Sequence, residues 1–336
     1  MLPAKCLRLV PLQRRNLIPT LLFCAISGSV LYLNSYLTFS TLFSGDKIYR
    51  SGRWWVDKIP SSLYSFKNHS SSIHTEHPRV RHFPHCLVIG ASKAGTRAVL
   101  EFVNMHPHVV RPTNEVHFFD KSHNYKKGYR WYLHQMPESL PHQITVEKTA
   151  MYYAVTDVPS RVHQMNSSIR LILVVREPFS RALSDYLHMR ISYNNRGLKY
   201  ESFENMAVDE KTGNLDLDFY AIQRSQYHHH LWRWMEYFPL SQIHITDGDI
   251  LRTEPWTEMQ KIQTFLGLQE FYNSSLFYFE KSRKFYCINR ETIACLHKSK
   301  GRKHPTVDKT VVEKLRAYFR KENEKFFNLT GRRFPW

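Results

Sequence analysis

The sequence predicts an α/β fold: a central parallel sheet with helices on its flanks. Three observations carry this. Short apolar runs recur from residue 85 onward, several end on glycine or a charged residue, and helical periodicity follows most of them. Strands alternating with helices bury both faces of a parallel sheet. The composition permits it. A chain of 336 residues can bury a sizeable core, and 42% hydrophobic with 14% aromatic content excludes a mainly disordered protein. Five Cys do not make a disulfide scaffold, and 12 Gly with 16 Pro show no collagen-like period.

The elements follow in order. Residues 85–90, HCLVIG, read as a short buried strand ending in Gly90. Residues 95–104 read as a helix with Val99, Leu100, Phe102 and Val103 inward. Residues 144–148 and 171–175 are further strands, and residues 179–189 the helix after the second. Residues 242–247 form another strand. The helix over 254–266 has Thr253 placed to cap it, Pro255 in its first turn and Gly267 at its end. Residues 311–327 look like a last helix, and there is no internal repeat.

The chain upstream is organised differently. No charged residue lies between Arg15 and Asp46, and residues 17–33 read LIPTLLFCAISGSVLYL. A membrane helix needs roughly 20 apolar residues. Lys5, Arg8, Arg14 and Arg15 precede the run, which places the N-terminus in the cytosol. The expected organisation is a cytoplasmic tail (1–15), a transmembrane signal-anchor (16–38), a luminal stem (39–83) rich in Ser and basic residues, and a luminal domain (84–336). The alternative is a cleaved signal peptide, with Ala25-Ile26-Ser27 as the candidate site. Asn68, Asn166, Asn273 and Asn328 open glycosylation sequons. Cys287 and Cys295 have a spacing that suits a hairpin closed by a disulfide in an oxidising lumen, and Cys86 reads as a buried thiol.

The net charge of +18 predicts a polyanionic partner: nucleic acid, anionic membrane or acidic polysaccharide. A luminal domain is a poor nucleic-acid binder. Setting aside the four N-terminal charges leaves +14 on the luminal part, which points to glycosaminoglycan.

Two motifs carry chemistry. Residues 90–97, GASKAGTR, join a strand to a helix. Such a loop offers backbone N–H groups, a helix N-terminus and the mobile charge of Lys93 to a phosphate. A nucleotide-hydrolysing P-loop wants Gly-x4-Gly-Lys-Ser/Thr. Here Thr96 follows Gly95 directly and Lys93 lies inside the loop, which disfavours magnesium-dependent phosphoryl transfer. The plain reading is a structural strand–turn–helix junction. In the second motif Arg176 ends a strand and Ser184 lies two helical turns on, so both can reach one phosphate. The plain reading there is an amphipathic helix with a surface Arg.

Together the two motifs resemble the sulfotransferase family, whose sulfuryl donor is 3′-phosphoadenosine 5′-phosphosulfate (PAPS). Three further stretches narrow the resemblance. They are residues 115–120, EVHFFD; residues 147–149, EKT; and the segment running from Phe285-Tyr286-Cys287 through Cys295 to residues 299–305, SKGRKHP. With these, residues 84–336 resemble the heparan sulfate glucosamine 3-O-sulfotransferases. The resemblance implies a single P-loop-like sulfotransferase domain that transfers sulfate from PAPS to the 3-hydroxyl of glucosamine in heparan sulfate, as a Golgi membrane glycoprotein needing no metal.

It also implies site residues. Glu115 would be the general base, with His117 and Lys93 as its catalytic companions. Lys93, Ala94, Gly95, Thr96, Arg97, Arg176, Ser184 and Tyr286, with Lys300, Gly301, Arg302, Lys303 and His304, would hold the donor. Glu115, Val116, His117, Phe118, Phe119 and Asp120, with Lys148, Thr149, Ala150 and Met151, would meet the sugar. Arg97 would also reach the polysaccharide. The bland alternative for residues 115–120 is an ordinary strand with Val116 and Phe118 inward.

The run Tyr227-His228-His229-His230 invites a metal site, but adjacent His on a helix point in different directions. The sequence departs from the family pattern at Ser92, Ala94, Ala150-Met151, His188 and Lys284, and Ser92 leaves saccharide preference open. Rival readings are another glycosaminoglycan N- or O-sulfotransferase, an inactive heparan-binding membrane protein and a P-loop kinase.

Overall fold

The computed structural model describes residues 78–297 and 304–336. The predicted signal-anchor, most of the stem with Asn68, and residues 300–303 lie outside them. Among the described residues no helix is long and apolar enough to cross a membrane.

Strands β1 (Val80–Arg81) to β9 (Phe285–Ile288) form three sheets. The largest holds β2 (Cys86–Gly90), β3 (Val109–Val110), β5 (Ile144–Lys148), β6 (Arg170–Val175) and β7 (Ile243–Asp247). It is parallel throughout, in the order β3-β5-β2-β6-β7. Every residue of β2 is buried, as a parallel strand covered on both faces requires. β1 pairs antiparallel with β4 (Glu138–Ser139), so ordered pairing begins inside the predicted stem. β8 (Phe277–Glu280) and β9 make an antiparallel hairpin.

The chain leaves β2 toward β3 and β5 on one side, then crosses to β6 on the other. The carboxyl ends of β5, β2 and β6 therefore lie side by side at the point where strand order reverses, the usual ligand position of such sheets.

Helices α1 (Thr96–Val103), α2 (Ser122–Tyr125), α3 (Gly128–His134) and α4 (Val158–Met165) precede β6. α5 (Pro178–Asn194) through α8 (Tyr227–Met235) lie between β6 and β7. α9 (Gly248–Thr253), α10 (Pro255–Leu266) and α11 (Lys309–Thr330) follow β7. The inward residues predicted for α1 are all buried.

Two helices run past their predicted ends. α5 extends to Asn194 and starts under a cap from Glu177, whose carboxylate accepts from the Phe179 and Ser180 amides. α11 starts under Asp308, which accepts from the Thr310 amide at 2.8 Å. Thr253 caps nothing. It ends α9, and its hydroxyl donates back to the Asp249 and Ile250 carbonyls. Gly267 does end α10 in a left-handed conformation, φ 68°.

The apolar interior has two parts. One packs around the sheet, with α1, α3, α8 and α10. The other is a separate cluster of Phe179, Leu183, Tyr186, Phe203, Phe219, Ile222, Leu315 and Phe319, where α5, α6 (Phe203–Ala207), α7 (Tyr220–Gln223) and α11 meet.

Candidate active site

Three strand ends build the site. After β2 the chain turns through residues 91–95. Lys93 (φ 71°) and Gly95 (φ 118°) both adopt left-handed backbone. That is open to glycine and uncommon for a lysine, which makes the loop a candidate functional turn. Gly95 is the N-cap of α1 and gives no side-chain cap, so the Thr96 and Arg97 amides stay available to an anion. By contrast α5, α9 and α11 are capped by Glu177, Asp247 and Asp308.

Two residues that sequence reasoning passed over shape this loop. Gly248 sits so close that a Cβ there would meet the Ala94 carbonyl oxygen at 2.3 Å and that of Val175 at 2.9 Å. Arg181, fully buried on α5, bonds the Ser92 carbonyl at 3.1 Å, Asp185 at 3.1 Å, the Ser225 hydroxyl at 2.7 Å and the Ala221 carbonyl at 2.6 Å. Arg181 lies between Arg176 and Ser184 in the chain, one helical turn before its partner Asp185. Its signal was an Arg–Asp pair at i,i+4 spacing within a largely apolar helix.

Arg176 ends β6. Its Nε is buried with no hydrogen-bond partner, and its nearest carboxylate is Asp249 at 3.9 Å. Burial first, and then the Arg176 charge, lower the pKa of His304, which therefore stands close to that guanidinium. Ser184 lies partly exposed on α5, two turns along. An uncapped helix end, an orphaned guanidinium nitrogen and a hydroxyl two turns along the next helix fit a donor that carries phosphate at both ends.

Glu115 faces the end of β5. Lys148 ion-pairs with its Oε1, and the Ala150 amide donates to its Oε2 at 3.1 Å. His117 Nε2 is 3.8 Å from that oxygen, while its Nδ1 meets Asp120 at 2.7 Å. Burial works against the Glu115 charge. Lys148, the Ala150 amide and His117 outweigh it and hold the carboxyl below its ordinary range. Glu115 and Lys148 open onto a cavity of about 420 Å³, lined also by Arg97, Glu101, Tyr286 and His297.

Residues 115–118 are not the ordinary strand of the bland reading. They form irregular backbone, with His117 at φ 53°. Phe118 and Phe119 are fully buried, and Phe118 stacks on Tyr132 with centroids 4.4 Å apart. Their rings can brace the loop but do not face a sugar. Thr149 is likewise buried, bonded to Glu147.

Cys287 and Cys295 are bonded, which closes the segment after β9, and Tyr286 packs edge-on against Trp256 at 5.5 Å. Cys86 is buried and its thiol pushed up by burial. Asn273 and Asn328 are exposed and Asn166 partly so. Among the described residues no cluster of His, Cys, Asp or Glu could hold a metal ion. His228 pairs with Glu322 at 2.9 Å, and His230 turns inward to the Gln223 carbonyl, its pKa lowered to about 3 by burial.

Comparison with known proteins adds the chemistry's family. Residues 83–331 match the sulfotransferase domain. The chain is 43% identical over 279 residues to heparan sulfate glucosamine 3-O-sulfotransferase 5 of Mus musculus, covering 82% of this chain and 80% of that protein. It is 44% identical over 262 residues to the Homo sapiens protein of that name, covering 77% and 76%. Among solved structures, a sulfotransferase from Alicyclobacillus acidocaldarius shares the fold, with TM-score 0.57 at 16% identity over 75% of this chain and 98% of that one. By these matches the chain belongs to the heparan sulfate glucosamine 3-O-sulfotransferase family.

Proposed function

We propose that this protein transfers the sulfuryl group of PAPS to the 3-hydroxyl of glucosamine residues in heparan sulfate, with Glu115 as general base. One observation carries the residue assignment. Glu115 is held ionised in the wall of a cavity, beside Lys148 and next to the strand end that bears the phosphate loop. The donor supplies an activated sulfuryl group bonded through oxygen to phosphate. Amides of the 93–97 turn and Lys93 would grip that phosphosulfate, and Arg176 with Ser184 the 3′-phosphate. As the sugar oxygen bonds to sulfur, its proton passes to the Glu115 carboxylate. The bridging oxygen leaves as phosphate, and Lys93 neutralises the charge that grows on it. His117, fixed by Asp120, orients Glu115. Arg97, Lys148 and the basic segment 300–304 would meet sulfates and carboxylates of the acceptor chain.

The full-length chain, incubated with PAPS and heparan sulfate, should yield 3-O-sulfated disaccharides on mapping. Glu115→Gln should lower turnover by at least about 10²-fold, as expected for a positioned base. Sulfate mapped to nitrogen or another hydroxyl would sink the 3-O assignment. No transfer by the unaltered chain would favour a heparan-binding protein without activity. We further propose a Golgi membrane location with the catalytic domain luminal. Supporting it are the charge-free apolar run over residues 16–38, exposed sequon asparagines and the Cys287–Cys295 bond.

A further inference from the structure

The backbone that carries Glu115 and His117 belongs to no strand, so its N–H groups need other partners. They find them on side chains from the end of β5 and just beyond. The Val116 amide donates to Glu147, the His117 amide to the Thr149 hydroxyl at 3.2 Å, and the Phe118 amide to the Tyr152 phenol at 3.1 Å. The Thr149 hydroxyl in turn donates a hydrogen bond to Glu147 Oε1 at 2.6 Å. Glu147 Oε2 accepts from the Tyr132 phenol of α3 at 3.3 Å.

We propose that Glu147 is a positioning residue of the transfer reaction. Through Thr149 and the Val116 amide, its buried carboxylate fixes the backbone on which Glu115 and His117 stand. This rests on Glu115 being the base.

A plain packing role explains Glu147 poorly. The side chain is wholly buried, and no ion pair compensates it among the described residues. Lys148, next in the chain, turns to Glu115 instead. Burying an uncompensated carboxylate is costly, and an apolar residue of similar volume would fill the space with less penalty. What an apolar residue cannot do is accept three hydrogen bonds that converge from the catalytic loop, β5 and α3.

The arrangement also makes the network sensitive to protonation. Burial is the strongest influence on Glu147 and raises its carboxyl to about 7. The groups facing it are the Thr149 hydroxyl, the Tyr132 phenol and the Val116 amide, which favour the charge, and the Glu115 carboxylate, which opposes it. The Tyr152 phenol lies close by. On taking a proton, one Glu147 oxygen changes from acceptor to donor. It can then no longer serve all three partners, and the grip on residues 116–117 loosens. Because the folded-state pKa is raised, the competent form fills in above about pH 7 and is lost below it. Glu115 is shifted the other way, so its own protonation falls in a separate and lower pH range.

The test uses the full-length chain and reads kcat and KM for PAPS and heparan sulfate between about pH 5.5 and 8.5. The unaltered protein should lose kcat on acidification with a midpoint near 7. Glu147→Gln should lower kcat about tenfold at the alkaline end and abolish that midpoint, with both KM values within about twofold. Tyr132→Phe removes a donor to the charged form and should move the midpoint to higher pH. If Glu147→Gln does not fold, Thr149→Val removes the hydroxyl that joins Glu147 to the His117 amide, and should lower kcat with both KM values kept. Unaltered kcat and acid midpoint in Glu147→Gln, or in its absence unaltered kcat in Thr149→Val, would overturn the proposal. Normal turnover in Glu115→Gln would instead overturn the base assignment, and this inference with it.

Discussion

Arg181→Met should both destabilise the fold and weaken donor binding. The guanidinium is fully buried and bonds four groups: the Ser92 carbonyl of the phosphate loop, the Ala221 carbonyl, the Ser225 hydroxyl and Asp185. Breaking a buried ion pair by removing one partner costs about 3–5 kcal/mol. Asp185 keeps a second partner in Arg224 at 3.2 Å, which argues for the lower end, about 3 kcal/mol. Each kcal/mol lowers Tm by about 2–4 °C in a domain of this size, so the expected fall is about 6–12 °C. Differential scanning calorimetry with and without the reaction product 3′-phosphoadenosine 5′-phosphate reads it. The freed Ser92 carbonyl should also raise KM for PAPS while leaving that for heparan sulfate near its normal value. Arg181→Lys should recover only part of the loss, since an ammonium cannot span four partners in a plane. A Tm within about 1 °C of the unaltered protein, with unchanged KM for PAPS, would refute the reasoning that Arg181 ties the loop to α5.

Three other outcomes follow from the geometry. Gly248→Ala drives a methyl into the Ala94 and Val175 carbonyls, and should cost about 1–3 kcal/mol in urea unfolding and raise KM for PAPS. Lys148→Met removes the charge that most strongly lowers the Glu115 pKa, so the acid limb of kcat/KM should move to higher pH. With Lys148 present, the Glu115 pair contributes stability above the ordinary carboxylate range that is lost as pH falls through the lowered folded value. Cys295→Ser opens a loop with a sequence separation of 8, and should cost about 2.5 kcal/mol on the chain-entropy account, read as a lower Tm under oxidising conditions.

The parallel sheet was legible because fully buried strands such as 86–90 and 171–175 are near-continuous apolar runs. Local spacing and family pattern singled out the 90–97 loop, Arg176, Ser184 and Glu115. The roles of Glu147 and Arg181 were not legible. Each is a charged residue whose role lies in distant partners: Arg181 meets Ser92 from 89 positions away, and Glu147, on β5, meets Tyr132 of α3. Periodicity reports which face a residue takes, not what awaits it there. The hairpin of β8 and β9 was missed for a related reason. Its outer residues Tyr278 and Phe279 are exposed aromatics, so the apolar alternation that marks a half-buried strand is blurred. Thr253 was misread because α9 and α10 abut, and the residue that looked like the start of one ends the other.

The division of the interior into two clusters has a consequence for how the molecule opens. The phosphate loop rides on the sheet and its surrounding core, whereas Ser184 rides on α5, whose inner face belongs to the second cluster with α6, α7 and α11. The two ends of a bound nucleotide would therefore rest on different apolar clusters, joined at the loop by Arg181. Smaller units of this kind open with free energies below that of global unfolding. Amide hydrogen exchange should accordingly find α6 and α7 less protected than β2 and β6. Nucleotide occupancy should slow exchange in both regions at once, because one ligand would then span both clusters.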